Sequence, residues 1–176
     1  MSTRVAHSFA QAMAELAQEK QIVAAVKRAT EELLTLLEVS DVKLFLEHPR
    51  VPSESKKTAL RELIAAEHPP ELLNFLSVII DRKKEQHLQQ ILQLLLDQLI
   101  KAQGYEIIEI VSAAELGEEG RTRIINDLEA AWNTKLYARY RINPSLIGGM
   151  IIRRGDYLYD GSLTGQLQKL KQKLLS

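Results

Sequence analysis

No cysteine occurs in the 176 residues. That absence removes disulfide frameworks, thiolate zinc sites and cysteine nucleophiles together. Net charge is missing as well: 23 basic side chains balance 23 acidic ones, so no global field draws the chain onto nucleic acid or anionic lipid. A partner is then expected to be held by shape and apolar contact. Long hydrophobic runs are also lacking. The greasiest stretch, Leu88 to Ile100, is interrupted by Gln89, Gln90, Gln93, Asp97 and Gln98, well short of the roughly 20 apolar residues that span a bilayer. The opening Met1-Ser2-Thr3-Arg4 has neither the apolar run of a secretion signal nor an arginine-rich transit segment. A soluble protein is expected.

What is present is enough apolar residue, 45%, for a real core in one ordinary domain or two small ones. Up to about Gln103 the chain reads as helix after helix. Val5, Phe9, Ala12, Met13 and Leu16 recur at spacings of three and four, which places them on one helical face. A second helix is expected from about Lys20 to Val39, with Val23, Val26, Ala29, Leu33, Leu34 and Leu37 inward. Ser40-Asp41 caps a short third, which Pro49 and Pro52 stop. The fourth runs from Ser53 to about Ala66, burying Ala59, Leu60, Leu63 and Ile64. Pro69 and Pro70 suit the first turn of a fifth, to about Asp81, burying Leu72, Leu73, Leu76, Ile79 and Ile80. The sixth, from about Lys84, carries Leu88, Ile91, Leu92, Leu95 and Leu99, and Gly104 ends it.

Beyond Gly104 the pattern changes. Glu106 to Val111 reads as a strand with Ile108 and Ile110 on one side. Glu118 and Glu119 mark a helix N-terminus, and Ile124, Ile125, Leu128, Ala131 and Trp132 are its expected buried face. Strict alternation follows, with Leu136, Ala138, Tyr140 and Ile142 facing one way. Asn143-Pro144 is a turn, Met150 to Arg153 and Tyr157 to Tyr159 are short strands, and Leu163, Leu167, Leu170 and Leu174 line a last helix. The fold class is therefore mainly α: a six-helix bundle over residues 1–104, then a small α+β domain over 105–176, with Gly104 as a candidate hinge.

No catalytic constellation emerges. The glycines Gly148, Gly149, Gly155, Gly161 and Gly165 lack the lysine that completes a phosphate loop. Asp156 and Asp160 flank a short strand without a histidine nearby, and His7, His48, His68 and His87 lack helical zinc spacing. Arg139, Arg141, Arg153 and Arg154 beside Tyr137 resemble a platform for single-stranded nucleic acid, although a solvated sheet face accounts for them too. No catalytic, cofactor-binding or metal-binding residue is therefore expected. A free-standing helical adaptor and, behind it, a nucleic-acid binder stay open as alternatives.

The run Asn143-Pro144-Ser145-Leu146-Ile147-Gly148-Gly149-Met150-Ile151-Ile152-Arg153 resembles the signature of the F-type ATP synthase delta family, which includes the mitochondrial oligomycin-sensitivity-conferring protein. The resemblance continues through Gly155-Asp156, Asp160-Gly161-Ser162-Leu163 and Gly165-Gln166-Leu167. Earlier stretches also match: Phe9 to Met13, Phe45-Leu46 with His48-Pro49, Val51 and Lys56-Lys57, Phe75-Leu76 with Asp81-Arg82-Lys83, and Val111 to Leu116. Phe9 and Met13 stand where tyrosine and leucine are usual, and Asn143 where aspartate is common. The resemblance implies a non-catalytic stator subunit that links the catalytic head to the b-type peripheral stalk and takes no cofactor. It implies head contact through the N-terminal helices of alpha subunits, at Phe9, Ala12, Met13, Phe75, Leu76 and Ile79. It implies stalk contact at Ile147, Gly148, Gly149, Met150, Leu167 and Leu170. Peripheral placement on the cytoplasmic face of a bacterial plasma membrane, or on a thylakoid membrane, follows from it, with no nucleic-acid partner and no direct membrane insertion.

Overall fold

The clearest apolar stripe of the sequence becomes the centre of the first half. In this computed structural model, which describes residues 3–63 and 68–175 (side chains excepted at 3, 40, 169, 170 and 172–175), α6 (Leu88–Ala102) buries Leu88, Ile91, Leu92, Leu95, Leu96, Leu99 and Ile100. A helix apolar on so wide an arc must be surrounded. Its neighbours are α1 (Thr3–Glu19), α2 (Val23–Glu38), α3 (Ser40–Glu47), α4 (Ser53–Leu63) and α5 (Pro70–Asp81), with α1 and α2 packed directly on it. Pro69 and Pro70 sit at the start of α5, where a missing N–H costs nothing.

α1 turns a different face inward than its large residues predict. Ala6, Ala10, Met13, Ala14 and Ala17 are buried, Val5 is 39% exposed, and Ala12 is exposed. Small side chains let two helix backbones approach closely, so a dense alanine seam replaces bulk. Gln21, at φ 58, breaks the chain after α1, and α2 starts at Val23 rather than near Lys20. The sixth helix opens with a 3-10 turn at Glu85–His87. In α4 Leu60 is buried as expected, but Leu63 is 42% exposed. Ile64 and the rest of the expected run to Ala66 lie outside the described residues.

The chain divides into two compact units, Met1–Gln103 and Gly104–Ser176, with Gly104 at φ +81, a conformation that glycine takes without steric cost. The second unit has a sheet in the order β2-β1-β3-β4, built from β1 (Glu106–Ser112), β2 (Leu136–Ile142), β3 (Met150–Arg154) and β4 (Tyr157–Asp160). β1 runs parallel to β2 and antiparallel to β3, and β3 and β4 form a hairpin. The parallel pair needs a crossover, and α7 (Glu118–Trp132) supplies it. Ile108, Ile110 and Leu136 form the buried centre, with Ile124, Ile125, Leu128, Trp132, Ala138, Tyr140, Met150 and Ile152 packed around it. No described residue of α7 is fully buried, and Ala131 is exposed. A single helix laid on a four-stranded sheet leaves each of its residues an edge toward solvent. Ile142, expected inward, is 56% exposed at the end of β2, past the part of the sheet that α7 covers. α8 (Leu163–Leu175) closes the chain.

Candidate functional site

On α1 the residues left over from the alanine seam form a second stripe. Val5, Phe9, Ala12 and Leu16 follow at four, three and four residues, so they share a face. Val5 and Ala12 are exposed; Phe9 and Leu16 are half-buried. The C-terminal end of α1 is tied to the first turn of α5 by Lys20 Nζ and Glu71 Oε1 at 2.7 Å. The hydrogen bond from Lys20 holds the Glu71 carboxyl below the usual carboxylate value. On α5, Phe75 is half-buried and Val78 is 45% exposed, whereas Leu76 and Ile79 are buried. Of the six residues expected to meet the head, Phe9, Ala12 and Phe75 therefore reach the surface, and Met13, Leu76 and Ile79 are core behind it. Val5 and Val78 complete the accessible stripe. Their helical spacing from Phe9 and Phe75 is the signal that points to them.

A charge cluster unforeseen in the sequence fixes α4 to the turn between α5 and α6. Lys56 is 2% exposed and Glu85 8%, and Lys56 Nζ lies 2.6 Å from Glu85 Oε1. Burial pushes the Glu85 carboxyl up, yet the hydrogen bond from Lys56, a backbone bond and the nearby charges of Lys56 and Lys83 together hold it below its usual value. Lys57 bridges Asp81 at 2.7 Å and Glu54 at 3.0 Å, and these hydrogen bonds raise the Lys57 pKa. Lys83 Nζ donates to Ser53 Oγ at 2.8 Å. Paired in this way, these carboxylate and ammonium groups fasten α4 to the end of α5 and the turn that follows it.

In the second unit the residues of the signature run build a joint. Asn143 Oδ1 accepts from Ser145 N at 3.1 Å and from Ser145 Oγ at 2.7 Å, which closes the turn after β2. Asp160 Oδ1 accepts from Ser162 N at 2.9 Å and from Ser162 Oγ at 2.6 Å, and Ser162 Oγ accepts from Gly165 N at 3.0 Å. That chain of bonds satisfies donors that the first turn of α8 would leave open. Two glycines are there for space. A Cβ on Gly149, itself at φ +75, would run into the Gly161 carbonyl oxygen, and one on Gly165 would strike the Asp160 carboxylate. Leu163 N donates to Gly148 O at 3.0 Å, and Thr164 Oγ1 donates to Leu146 O at 3.0 Å. The 143–149 loop and the root of α8 are one piece.

Of the residues expected to meet the stalk, Ile147 is 71% exposed and Leu167 58%. Gly148 and Gly149 back onto the root of α8, and Met150 packs on the sheet core. Leu170 carries no described side chain. Leu163, 47% exposed one turn before Leu167, joins the accessible set.

Of the four strand arginines, three share a sheet face with Tyr137 and Arg154 lies on the other. Arg154 donates from Nε and one Nη to both carboxylate oxygens of Glu106, at 2.9 and 2.8 Å. Its guanidinium lies 4.7 Å from the Trp132 ring centre, and Trp132 in turn meets Tyr159 at 5.5 Å. The hydrogen bond from Arg154 holds the Glu106 carboxyl low. Arg141 pairs with Glu109 at 2.8 Å, while Arg121 covers the Tyr140 ring at 4.8 Å. Burial pushes the Tyr140 phenol up, against the charge of Arg121. Arg139, Arg141 and Arg153 share the sheet face opposite Arg154, since alternate residues point to opposite sides. Among the described residues no group of three or more His, Asp or Glu could hold a metal ion, and no helix is long and apolar enough to cross a membrane.

The described residues thus form two separately closed cores, each with exposed apolar side chains of its own. The family described as the ATP synthase delta (OSCP) subunit matches residues 5–174, and the chain belongs to that family of non-catalytic ATP synthase subunits. ATP synthase subunit delta of Symbiobacterium thermophilum is 33% identical over 181 residues, covering 100% of this chain and 95% of that protein. The Carboxydothermus hydrogenoformans counterpart is 33% identical and covers 98% of each; that of the cyanobacterium Gloeothece citriformis is 30% identical, covering 99% and 96%. The fold also matches a chain in the cryo-EM structure of the Toxoplasma gondii mitochondrial ATP synthase hexamer, at a TM-score of 0.76 and 19% identity over 97% of both chains.

Proposed function

We propose that this chain ties the catalytic head of an F-type ATP synthase to the b-type subunits of its peripheral stalk, so that the head does not turn with the rotor. In this reading the first unit grips N-terminal helices of alpha subunits with Val5, Phe9, Ala12, Phe75 and Val78. Met13, Leu76 and Ile79 form the packed floor that keeps that surface in shape. The second unit grips the far end of the stalk with Ile147, Leu163 and Leu167, and the helix that carries Leu167 continues through Leu170. Gly148, Gly149 and Met150 set the angle of this surface. The chain itself sits peripherally, on the cytoplasmic face of a bacterial plasma membrane or the equivalent side of a thylakoid.

The observation that carries the reading is the pairing of two exposed apolar surfaces with two separately closed cores. Apolar helix-in-groove contact suits a stator, because packing resists shear and salt screens it little. Two contacts on one chain also raise the effective concentration at the second site once the first is made. The test is reconstitution. Membranes stripped of this subunit are supplied with catalytic heads and the full chain, and proton-driven ATP synthesis is measured. Restored synthesis is expected; rebinding of heads without any recovery of synthesis would sink the proposal.

A further inference from the structure

Ile147 occupies a backbone conformation that its own side chain opposes. It has φ 64 and ψ −42, and Gly148 N donates across it to Leu146 O at 2.6 Å. That is a three-residue γ-turn of the rare, strained, positive-φ kind. A β-branched residue is among the least suited to positive φ, and glycine would take the place without strain. Packing does not explain the choice either, because the side chain is 71% exposed. A strained backbone that holds a large apolar side chain out into water points to a use outside the chain.

The surroundings say what it meets. Ile142, the last residue of β2, pairs with Ser112, and Met150, the first of β3, pairs with the same Ser112. The 143–149 loop therefore lies at one end of the sheet, bonded to the root of α8. Ile142 at 56%, Leu163 at 47% and Leu167 at 58% exposure put three more branched apolar chains at that end. Leu163 and Leu167 lie one turn apart on one helix face, a spacing that suits contact with a second helix. Charge is sorted along this unit as well. Residues 135–176 contain eight basic and two acidic side chains, +6, whereas residues 104–134 contain two basic and seven acidic, −5. Of the two acids in the later stretch, Asp160 is engaged with Ser162. Lys171 is exposed, and so is Arg141, whose guanidinium also pairs with Glu109.

We infer that this end of the second unit receives an amphipathic helix whose apolar stripe is flanked by aspartate or glutamate, and that Ile147 is the anchor, presented by a turn that stays strained in the free chain. The inference rests on the stalk reading above, with the far end of a b-type subunit as occupant. The cationic surroundings steer and orient that helix, and the apolar four supply the grip.

The test uses the full chain and purified b-type subunits in calorimetric titrations at 50 and 300 mM salt, with Tm measured on the same samples. Wild-type affinity is expected to fall about fivefold at the higher salt. Ile147→Gly is expected to raise Tm by about 2–5 °C, since it relieves the turn and removes little packing, while weakening binding about 10–100-fold. Ile147→Val keeps affinity within about threefold and gains no stability. Arg141→Gln combined with Lys171→Gln flattens the salt dependence. A lower Tm for Ile147→Gly would show that the side chain is structural, and unchanged affinity would remove it as an anchor; either overturns the inference and leaves the stalk reading standing. Salt-independent wild-type binding overturns the acidic occupant. No wild-type binding at all would bring down the stalk reading, and this inference with it.

Discussion

In the first unit Ile79, Ile91, Leu92, Leu95 and Leu99 show no exposed surface and belong to a buried cluster that draws on each of α1 to α6, from Ala6 to Leu99. In the second, the corresponding cluster has Ile108, Ile110 and Leu136 at its centre, and everything packed around them is only partly buried. The first unit thus rests on hydrophobic burial. The second leans on directional devices: the Arg154–Glu106–Trp132 stack, the Asp160–Ser162–Gly165 cap and close glycine contacts. The contrast bears on function. A unit with a thin core and exposed Ile147, Leu163 and Leu167 gains stability when a partner covers them, because anything that binds only the folded form stabilises it.

Substitutions that act on one unit alone sharpen that comparison, and the largest effect belongs to the buried ion pair. Lys56→Ala leaves Glu85 charged and unpaired, and should cost the first unit about 3–5 kcal/mol in denaturant unfolding. The double change Lys56→Met with Glu85→Leu should recover most of that loss, as apolar replacements of buried pairs often do. In the second unit Ile110→Ala should cost about 2–4 kcal/mol and leave the first transition where it was; a common shift of both would show that the units are not independent. Gly149→Ala should cost the second unit about 1–3 kcal/mol, from positive φ and the collision with the Gly161 carbonyl, visible as a loss of its near-ultraviolet aromatic signal at lower temperature.

Acid should give the smallest difference. Glu71 and Glu85 in the first unit and Glu106 in the second are held below the usual carboxylate value of 4.5. A lowered folded-state pKa contributes stability that is present above the usual value and fades as pH falls below it. Thermal scans at pH 7 and pH 4 should therefore show both units weakened at pH 4, the first more so, because Glu85 is buried and Glu106 is not.

Much of this architecture is legible in the residues. The α6 stripe, the β2 alternation as far as Tyr140 and the turn at Asn143-Pro144 reappear as read, because each depends on a local period or a local backbone preference. The inward face of α1 was hidden by the same logic. Hydropathy favours Val5 and Leu16 over Ala6, Ala10 and Ala17, while close helix packing favours the small residues. The Lys56–Glu85 pair joins positions 29 apart, with no spacing rule to connect them. At the candidate surfaces, a stripe marks core and contact alike. Only burial separates Phe9 and Phe75 from Met13, Leu76 and Ile79, and only the backbone angles distinguish Ile147 from an ordinary loop residue.

The central claim is that one chain must hold two partners at once, one with each unit. Its most direct test is proton-driven ATP synthesis in stripped membranes supplied with a variant disabled at the first surface (Phe9→Asp), one disabled at the second (Leu167→Asp), or both variants together. Each variant should still bind the partner of its intact unit, and none of the three additions should restore synthesis, whereas wild-type chain does. Full synthesis with either single variant, or with the two mixed, would contradict the account.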